Sequence, residues 1–310
     1  MTGVMKGFKL RKTQYIYDEN GKKIGRLAKR TKRLNRSASG TFALFVVLGI
    51  LAVFMGFPLV LTVMNALKPL DELFHFPPRF FVRNPTLSNF GDLFVLMQAS
   101  WVPFSRYILN TLILTVFGTG GHLLFASAAA YALAKCDLPG KKLLFSMVVL
   151  SLMFASTVTA IPNFLIISAL GINNTYFAII LPAFSAPLGL YLMKQFMEQI
   201  PESLIESSRI DGASEFKIYW SIVMPNVKPA WLTLIILSFQ GLWVNTGGVF
   251  LRSEELKPLS FAMGQIAQGG IARAGAGAAV MFIMMIVPVT FFVIAQSQMI
   301  ETLTTSGMKD

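Results

Sequence analysis

The chain has 310 residues, of which 54% are apolar and only 14% are charged, whereas a water-soluble domain carries about 25% charged residues. This composition excludes a soluble enzyme, a disulfide scaffold and a disordered chain, and the single cysteine, Cys136, permits no internal disulfide. The net charge of +12 would suggest nucleic-acid binding in a soluble protein. Here, however, twelve of the 27 basic residues fall within the first 40 positions, outside the long uncharged stretches.

Residues 1–40 are predicted to form a basic cytoplasmic extension that precedes the membrane domain. The basic run Arg26–Arg36 favours contact with anionic lipid headgroups. Nucleic-acid binding is the weaker interpretation, because no aromatic interleaving or binding motif accompanies the charge. Membrane lipid is therefore expected as a partner, and nucleic acid is not.

Five stretches without formal charge follow this extension, and about 20 apolar residues suffice for a helix to cross the hydrocarbon. The longest stretch is divided by a turn-forming cluster at residues 171–174. The sequence thus predicts an all-α membrane domain over residues 41–300 and a cytoplasmic tail over 301–310. The six expected spans are Ser37–Leu67, Tyr107–Ala134, Leu143–Leu170, Tyr176–Met193, Pro229–Leu251 and Ala274–Ile300.

The orientation follows from the distribution of Lys and Arg between the short loops. With the N-terminus in the cytoplasm, the inner segments hold 20 basic residues and the outer segments hold seven. An even number of spans puts both termini on one side. The sequence therefore predicts a multi-pass protein of the bacterial cytoplasmic membrane with both termini inside.

The predicted spans contain no Asp, Glu, Lys or Arg, and His122 is the ionisable side chain that remains. Carriers driven by ion gradients usually keep such a group at membrane depth, and a lone histidine is more often a packed polar residue than a proton relay. Broken helices could still bind sodium, so an ion-coupled carrier stays an alternative. The chain also lacks a phosphate-binding G-x-x-x-x-G-K-[ST] loop and metal-ligand spacing, so it is predicted to be neither an ATPase nor another enzyme.

The segment 199–229, between the fourth and fifth spans, is the most specific feature of the sequence. Pro201 suits a first helical position, and Gly212 can take a positive φ and end that helix. Asp211 or Ser214 can cap the next helix. The sequence therefore predicts two short helices that meet at an angle.

The second short helix is predicted to carry one aromatic face. Phe216, Tyr219, Trp220 and Val223 follow i, i+3, i+4, i+7 spacing. Such a bent segment between two spans can act as a lever for an external motor, or it can rest on lipid headgroups as an amphipathic helix. The pattern alone leaves both interpretations open.

The stretch from Glu206 through Asp211-Gly212-Ala213 to Pro225 and Pro229 resembles the EAA loop of ATP-binding cassette importer permeases. Serines 207 and 208 stand where the consensus has two alanines. Segments similar to the carbohydrate-importer branch related to maltose permeases cover nearly all of the chain after residue 60. They are Asn65-Ala66-Leu67-Lys68-Pro69, Pro85-Thr86-Leu87-Ser88-Asn89-Phe90, Arg106-Tyr107-Ile108-Leu109-Asn110-Thr111, Ala129-Ala130-Tyr131-Ala132-Leu133-Ala134 and Leu138-Pro139-Gly140.

The resemblance implies a type I importer permease that moves an oligosaccharide or related glycan by alternating access. It implies a homologous second permease, two cytoplasmic ATP-binding cassette subunits and an extracellular solute-binding protein or lipoprotein as partners. ATP and Mg would be used by the ATPase subunits, and no cofactor is expected on this chain. The residues implied to couple the permease to the ATPase are Glu206, Ser207, Ser208, Asp211, Gly212, Ala213, Phe216 and Tyr219.

Uncharged polar side chains at membrane depth are the candidates for contact with solute, since sugar hydroxyls bind aromatic faces and neutral hydrogen-bonding groups. An interhelical hydrogen bond is the competing role for each of them. Another solute, such as an amino acid, polyamine or phosphonate, stays an alternative, because the chain departs from the W-N-D-F motif of the sugar branch. The candidates are Asn110, Asn163, Gln240, Trp243 and Asn245.

Overall fold

The computed structural model describes residues 15–17, 23–26, 38–99 and 101–306. The chain forms two units, Met1–Pro58 and Leu59–Asp310. In the first unit, strand β1 (Tyr15–Tyr17) pairs antiparallel with strand β2 (Lys23–Arg26). This small sheet lies in the N-terminal extension, outside the predicted all-α membrane domain over residues 41–300. The prediction for the basic run Arg26–Arg36 falls almost entirely outside the described residues.

The remaining described chain is helical or irregular, and helix α1 crosses the boundary between the two units. A π-helix at Tyr219–Val223 continues α10 into α11. The helices are α1 (Ala38–Leu67), α2 (Leu70–Leu73), α3 (Ser88–Gln98), α4 (Phe104–Lys135), α5 (Lys141–Ser151), α6 (Ser156–Ala169), α7 (Phe177–Phe184), α8 (Pro187–Glu198), α9 (Glu202–Ile210), α10 (Glu215–Ile218), α11 (Met224–Asn226), α12 (Lys228–Trp243), α13 (Leu259–Ala267) and α14 (Ala274–Ser306).

Four helices within the described residues are long and apolar enough to cross a membrane, and a bent pair raises the number to five. The part of the chain that the structure describes therefore does not contain the six continuous spans predicted from the sequence. The four are Gly40–Leu67, Phe104–Lys135, Phe177–Glu198 and Ile271–Gln296, and the pair Glu215–Asn226 and Lys228–Trp243 bends by 81°.

The third predicted span, Leu143–Leu170, is divided into α5 and α6 by a non-helical stretch at residues 152–155. At the end of α5 the Ser151 hydroxyl donates a hydrogen bond to the Val148 carbonyl oxygen (2.6 Å). Such a bond competes with the backbone ladder and favours a bend or an end.

The fifth predicted span, Pro229–Leu251, ends at Trp243 instead. The Asn245 side chain accepts a hydrogen bond from the Gly247 backbone N–H (2.7 Å), and Gly247 has a φ of +77°. Both features belong to a turn, so the chain folds back after α12. At the C-terminus, α14 continues to Ser306, so the first part of the predicted tail 301–310 is helical.

Helix α4 is central to the second unit and packs against α7, α8 and α12. Its glycines allow close approach: a Cβ on Gly121 would lie 2.0 Å from the Phe184 ring, and one on Gly118 would lie 2.6 Å from Leu242. Buried apolar clusters surround both ends of α4, one near Tyr107 and the other near Tyr131. This helix therefore links the two ends of the unit.

Candidate functional site

Residues 199–223, which follow α8, form the predicted bend of two short helices, and we call this segment the elbow. Pro201 is the N-cap of α9, one position earlier than predicted, and α9 ends at Ile210. Gly212 has a φ of +78°, a conformation that glycine adopts at little steric cost. The Ser214 hydroxyl then caps α10 by accepting a hydrogen bond from the Lys217 backbone N–H (3.4 Å). The elbow therefore has the local structure that the sequence predicts.

The elbow has an outer face and an inner face. The outer face carries four exposed motif residues, Glu206, Ser207, Asp211 and Gly212. Ser208 is buried instead, and its hydroxyl donates a hydrogen bond to a backbone carbonyl of its own helix (2.7 Å). The motif residues are therefore divided between contact with solvent and internal packing.

The prediction of one aromatic face on the second helix holds in part: the Tyr219 ring lies beside those of Phe216 (centroids 6.5 Å apart) and Trp220 (6.1 Å), but the side chains differ in burial. Phe216 and Trp220 are exposed, whereas Tyr219 and Val223 are buried. The chain forms a π-helix at residues 219–223, which has more residues per turn than an α-helix, so the α-helical spacing used for the prediction does not apply beyond Tyr219. The Tyr219 hydroxyl forms a hydrogen bond with Ser127 of α4 (2.7 Å), so Tyr219 supports the elbow from inside.

A carboxylate that the sequence did not single out, Glu215, joins the two halves of the elbow to α4. One of its oxygens accepts a hydrogen bond from Arg209 Nε (2.8 Å), and the other accepts from the Tyr131 hydroxyl (2.6 Å). These two bonds favour the ionised form and lower the pKa of the Glu215 carboxyl. At neutral pH Glu215 is therefore an ionised bridge between α9 and α4.

A cavity of about 790 Å³ lies among α4, α6, α7, α8, α12 and the turn that follows α12. Its lining is mainly apolar, and none of the described residues that line it is Asp, Glu, Lys or Arg. The few polar side chains are of the kind that bind an uncharged solute. They are His122, Asn163, Ser238, Asn245 and Thr246.

His122 is buried in the wall of this cavity, where it bonds to two helices. Its Nε2 lies 3.1 Å from the Ala186 carbonyl oxygen, and its Nδ1 lies 3.3 Å from the Ser238 hydroxyl. Because a carbonyl only accepts, Nε2 carries the proton and Nδ1 accepts from Ser238. Ala186 is the N-cap of α8, so the imidazole bonds to the backbone at the break between α7 and α8. The expectation of a packed polar histidine is confirmed by these bonds.

Residues 126–305, which include the elbow and most of the cavity lining, match a family described as binding-protein-dependent transport system inner membrane component. The chain belongs to this permease family. The match covers more than half of the chain, so the resemblance found in the sequence is confirmed. The permease is accordingly a multi-pass membrane protein and a component of a binding-protein-dependent transport system.

Two curated relatives and one solved structure resemble the permease. The protein LplC of Bacillus subtilis is 37% identical over 140 residues, 45% of this chain and 47% of that protein, so the permease spans about half of its length. The arabinooligosaccharides transport system permease protein AraQ of Halalkalibacterium halodurans is 29% identical over 82% of this chain and 91% of that protein. A bacterial ABC transporter involved in the import of the acidic polysaccharide alginate has a TM-score of 0.70 at 23% identity, covering 85% of this chain and 98% of that one. This last likeness shows the fold alone.

The five candidates for solute contact differ in whether they line the cavity of the permease. Asn163 and Asn245 line it, whereas Gln240 is half-buried outside the lining. The Asn163 side chain is exposed on α6. Of Gln240, Trp243 and Asn245, which stand close together in the sequence, Asn245 alone lines the cavity, because α12 ends between the last two.

Asn110 and Trp243 of the permease have structural roles. The Asn110 amide donates to the carbonyl oxygens of Glu255 (2.8 Å) and Lys257 (2.7 Å) and accepts from the Tyr176 hydroxyl (2.6 Å). The Trp243 indole N–H donates to a carbonyl of α14, that of Met284 (3.2 Å). Both are buried and lie outside the cavity lining. They hold the segment before α13 and helix α14 in place.

The sequence patterns did not assign His122 and Ser238 to a cavity, and they did not single out three partners of the elbow, which are Ser127, Tyr131 and Lys135. The last three stand at i, i+4 and i+8 on α4, so their spacing in the sequence does indicate one helical face. Which helix or loop that face meets cannot be read from spacing.

Proposed function

We propose that the permease forms one half of the pore of an ATP-driven importer for oligosaccharides or related glycans, which it moves by alternating access. A homologous second permease, two cytoplasmic ATP-binding cassette subunits and an external solute-binding protein complete the assembly. ATP and Mg bind to the ATPase subunits. The match of residues 126–305 carries this proposal, because it covers both the elbow and most of the cavity lining.

The proposed topology has six crossings with both termini in the cytoplasm. In it, α5 with α6 forms one broken crossing, and α12 continues from the bent elbow segment to form another. The excess of 20 basic residues in the inner segments over seven in the outer ones supports this orientation. The elbow then lies on the cytoplasmic side, where an ATPase can reach it.

The exposed face of the elbow is the proposed contact with the ATPase. Glu206, Ser207, Asp211, Gly212 and Phe216 form this face. Ser208, Ala213 and Tyr219, which the resemblance also implies, are buried or half-buried and shape the face from inside. Phe216, which is 75% exposed, is the apolar side chain that a partner groove would cover.

The proposed solute is neutral, because the cavity lining offers amides, hydroxyls and an imidazole and no formal charge. The volume of about 790 Å³ lies within the usual range of roughly 300–1,000 Å³ for ligand sites. Among the relatives, the name of AraQ specifies arabinooligosaccharides. A glycan fits the lining better than a polyamine or phosphonate, whose charge would lack a counter-charge.

Reconstitution of the permease with its second permease, ATPase and binding protein in vesicles tests the proposal. Uptake is expected to require ATP, and the ligand that co-purifies with the external protein is expected to be a glycan. Uptake that runs on an ion gradient without the ATPase would contradict the proposal. A charged co-purifying ligand, such as a polyamine, would contradict the proposed solute.

Substitutions in the turn of the elbow test the docking face. Gly212→Pro and Asp211→Lys are expected to abolish both ATPase attachment and uptake while membrane insertion persists. Asp137→Lys is the matched control, because Asp137 is also exposed and forms only a surface ion pair with Lys141 (3.5 Å). Normal attachment in both elbow variants would refute the assignment, and would favour the interpretation that the elbow rests on lipid.

A further inference from the structure

We propose that α4 receives the motion of the elbow through a stripe of three side chains, Ser127, Tyr131 and Lys135, and carries it to the cavity. This inference rests on the proposed function. It adds positioning residues on a helix that does not flank the elbow in the sequence. The elbow is joined covalently to α8 and α11, yet its polar side chains bond to α4.

The three side chains of the stripe lie on one face of α4 and bond to three different parts of the elbow segment. Lys135 Nζ donates to the Ile200 carbonyl oxygen (2.7 Å) just before α9, and lies 3.2 Å from Glu202. The Tyr131 hydroxyl donates to Glu215 at the start of α10 (2.6 Å). The remaining member, Ser127, bonds to the Tyr219 hydroxyl in the π-helix (2.7 Å). The elbow is therefore attached to α4 along its whole length.

The burial of the stripe makes these attachments strong. Ser127, Tyr131 and Lys135 are 0%, 7% and 8% exposed, respectively. A buried hydroxyl or ammonium group that loses its partner is left without water to replace it, which costs more than an exposed bond gains. Pulling the elbow away from α4 would leave the Tyr131 hydroxyl and the Lys135 ammonium without these partners, whereas Ser127 would keep its bond to the Leu123 carbonyl oxygen (2.6 Å) within α4. We therefore expect the elbow and this part of α4 to move as one body.

Glu215 links the two helices of the elbow to each other and to α4. It accepts from Arg209 at the end of α9 and from Tyr131 on α4, so one carboxylate fixes the angle of the elbow and its attachment at once. Tyr131 also packs on Tyr219, with ring centroids 5.5 Å apart. A push on the outer face of the elbow is thus transmitted to α4 and not absorbed at the Gly212 turn.

The same helix forms part of the cavity wall. His122 precedes Ser127 by five residues in α4, and its imidazole bonds to Ala186 and Ser238 across the wall. Gly118 and Gly121 place α4 in close contact with Leu242 and Phe184, so displacement of α4 must displace its neighbours. The stripe therefore connects ATPase attachment to the shape of the solute cavity.

The number of solute molecules transported per ATP hydrolysed, in the reconstituted complex, tests the inference. We expect Tyr131→Phe and Lys135→Met to lower this ratio by about tenfold, in line with the loss of a hydrogen bond in which one group is charged. ATPase attachment and ATP hydrolysis should persist, because the outer face of the elbow is untouched. The matched controls are Tyr191→Phe in α8, whose ring stacks on Phe145 (6.0 Å), and the exposed Lys142→Met.

Each alternative result has a defined meaning. An unchanged ratio in both stripe variants would overturn the inference. Loss of ATPase attachment in Tyr131→Phe would also overturn it, because the stripe would then only shape the docking face. If the unsubstituted permease itself failed to bind an ATPase, the proposed function would fail first, which is a distinguishable result.

A cross-link that restores the attachment provides a second test. In a Cys136→Ser background, Tyr131→Cys and Glu215→Cys are joined by a short, reducible bifunctional thiol reagent that replaces the bridge. Because the elbow and α4 are expected to move together, the linked permease should keep the solute-to-ATP ratio of unsubstituted protein, above that of the unlinked double variant. Loss of uptake on linking, restored by reduction, would show that the two parts must separate and would overturn the inference.

Discussion

Gly189 of α8 lies against His122 of α4 so closely that a Cβ on Gly189 would stand 2.3 Å from His122 Nε2. Gly189→Ala must therefore displace the imidazole and break its bond to Ala186. We expect the variant to lose about 1–3 kcal/mol of stability, the cost of a buried group without its partner, measured as a lower Tm of the purified permease. Gly241→Ala is the control, because it lies in the same cavity wall with nothing within 4 Å of its Cβ position. Equal Tm values for the two variants would contradict this packing.

Two neighbouring glycines in α4 provide an internal comparison. A Cβ on Gly121 would lie 2.0 Å from the Phe184 ring, whereas one on Gly120 would meet nothing within 4 Å. Gly121→Ala should therefore lower Tm, with a cost of about 1–3 kcal/mol for overpacking. Gly120→Ala should leave Tm unchanged or raise it slightly, because alanine favours the helix by up to about 1 kcal/mol. The reverse order would mean that α4 is rotated from the position described.

The turn of the elbow requires the left-handed backbone conformation at residue 212. Gly212 has a φ of +78° with open space around it, so its side-chain replacements are limited by backbone strain and not by packing. Gly212→Ala should cost about 1 kcal/mol and Gly212→Asn less, since asparagine tolerates this region better. Faster hydrogen exchange confined to α9 and α10 would report the strain. Similar exchange for alanine and glycine at this position would contradict it.

The cavity predicts a separation between solute affinity and stability. Asn163→Ala should raise the solute concentration for half-maximal uptake by about fivefold, the effect of one lost hydrogen bond, without changing Tm. Trp243→Phe should instead lower Tm and leave the half-maximal concentration unchanged, because the Trp243 indole N–H bonds to Met284 outside the cavity. An unchanged half-maximal concentration in Asn163→Ala would remove Asn163 from the solute path.

The reactivity of Cys136 should depend on Glu215. Burial, and then the negative charge of Glu215, raise the pKa of the Cys136 thiol. Alkylation by iodoacetamide should therefore be slow at neutral pH and become faster as the pH rises through the raised pKa, and Glu215→Gln should shift this profile to lower pH. Asp137→Asn is the control, because Asp137 contributes less than Glu215 to the raised pKa. An identical profile in Glu215→Gln would contradict the charge arrangement at the elbow.

The pKa of Glu215, which bridges Arg209 and Tyr131, is shifted in the opposite direction to that of Cys136. Because hydrogen bonds from Arg209 and Tyr131 lower the pKa of Glu215, the bridge stabilises the elbow above the ordinary carboxyl pKa. That contribution is lost as the pH falls through the lowered pKa. Elbow hydrogen exchange should therefore change little near neutral pH and increase only in acid. A change near pH 7 that is absent in Glu215→Gln would contradict the lowered pKa.

The sequence by itself determined the features that depend on residues close together in the chain. The uncharged stretches located the apolar helices, and the glycine at position 212 with a serine cap at 214 predicted the two helices of the elbow. The same local patterns carried the resemblance to importer permeases, which the family match confirmed. They also misplaced the end of the fifth span, because the apolar run continues past the turn that Asn245 and Gly247 form.

Only the tertiary structure decided which side chains meet. The bond between Ser127 and Tyr219 joins residues 92 positions apart, and that between Lys135 and Ile200 joins residues 65 apart. Spacing along one helix gives a face but not its neighbour, so Asn110 and Asn163 were equal candidates until one proved fully bonded and the other faced the cavity. Their difference arises from packing among helices, which depends on the whole chain at once.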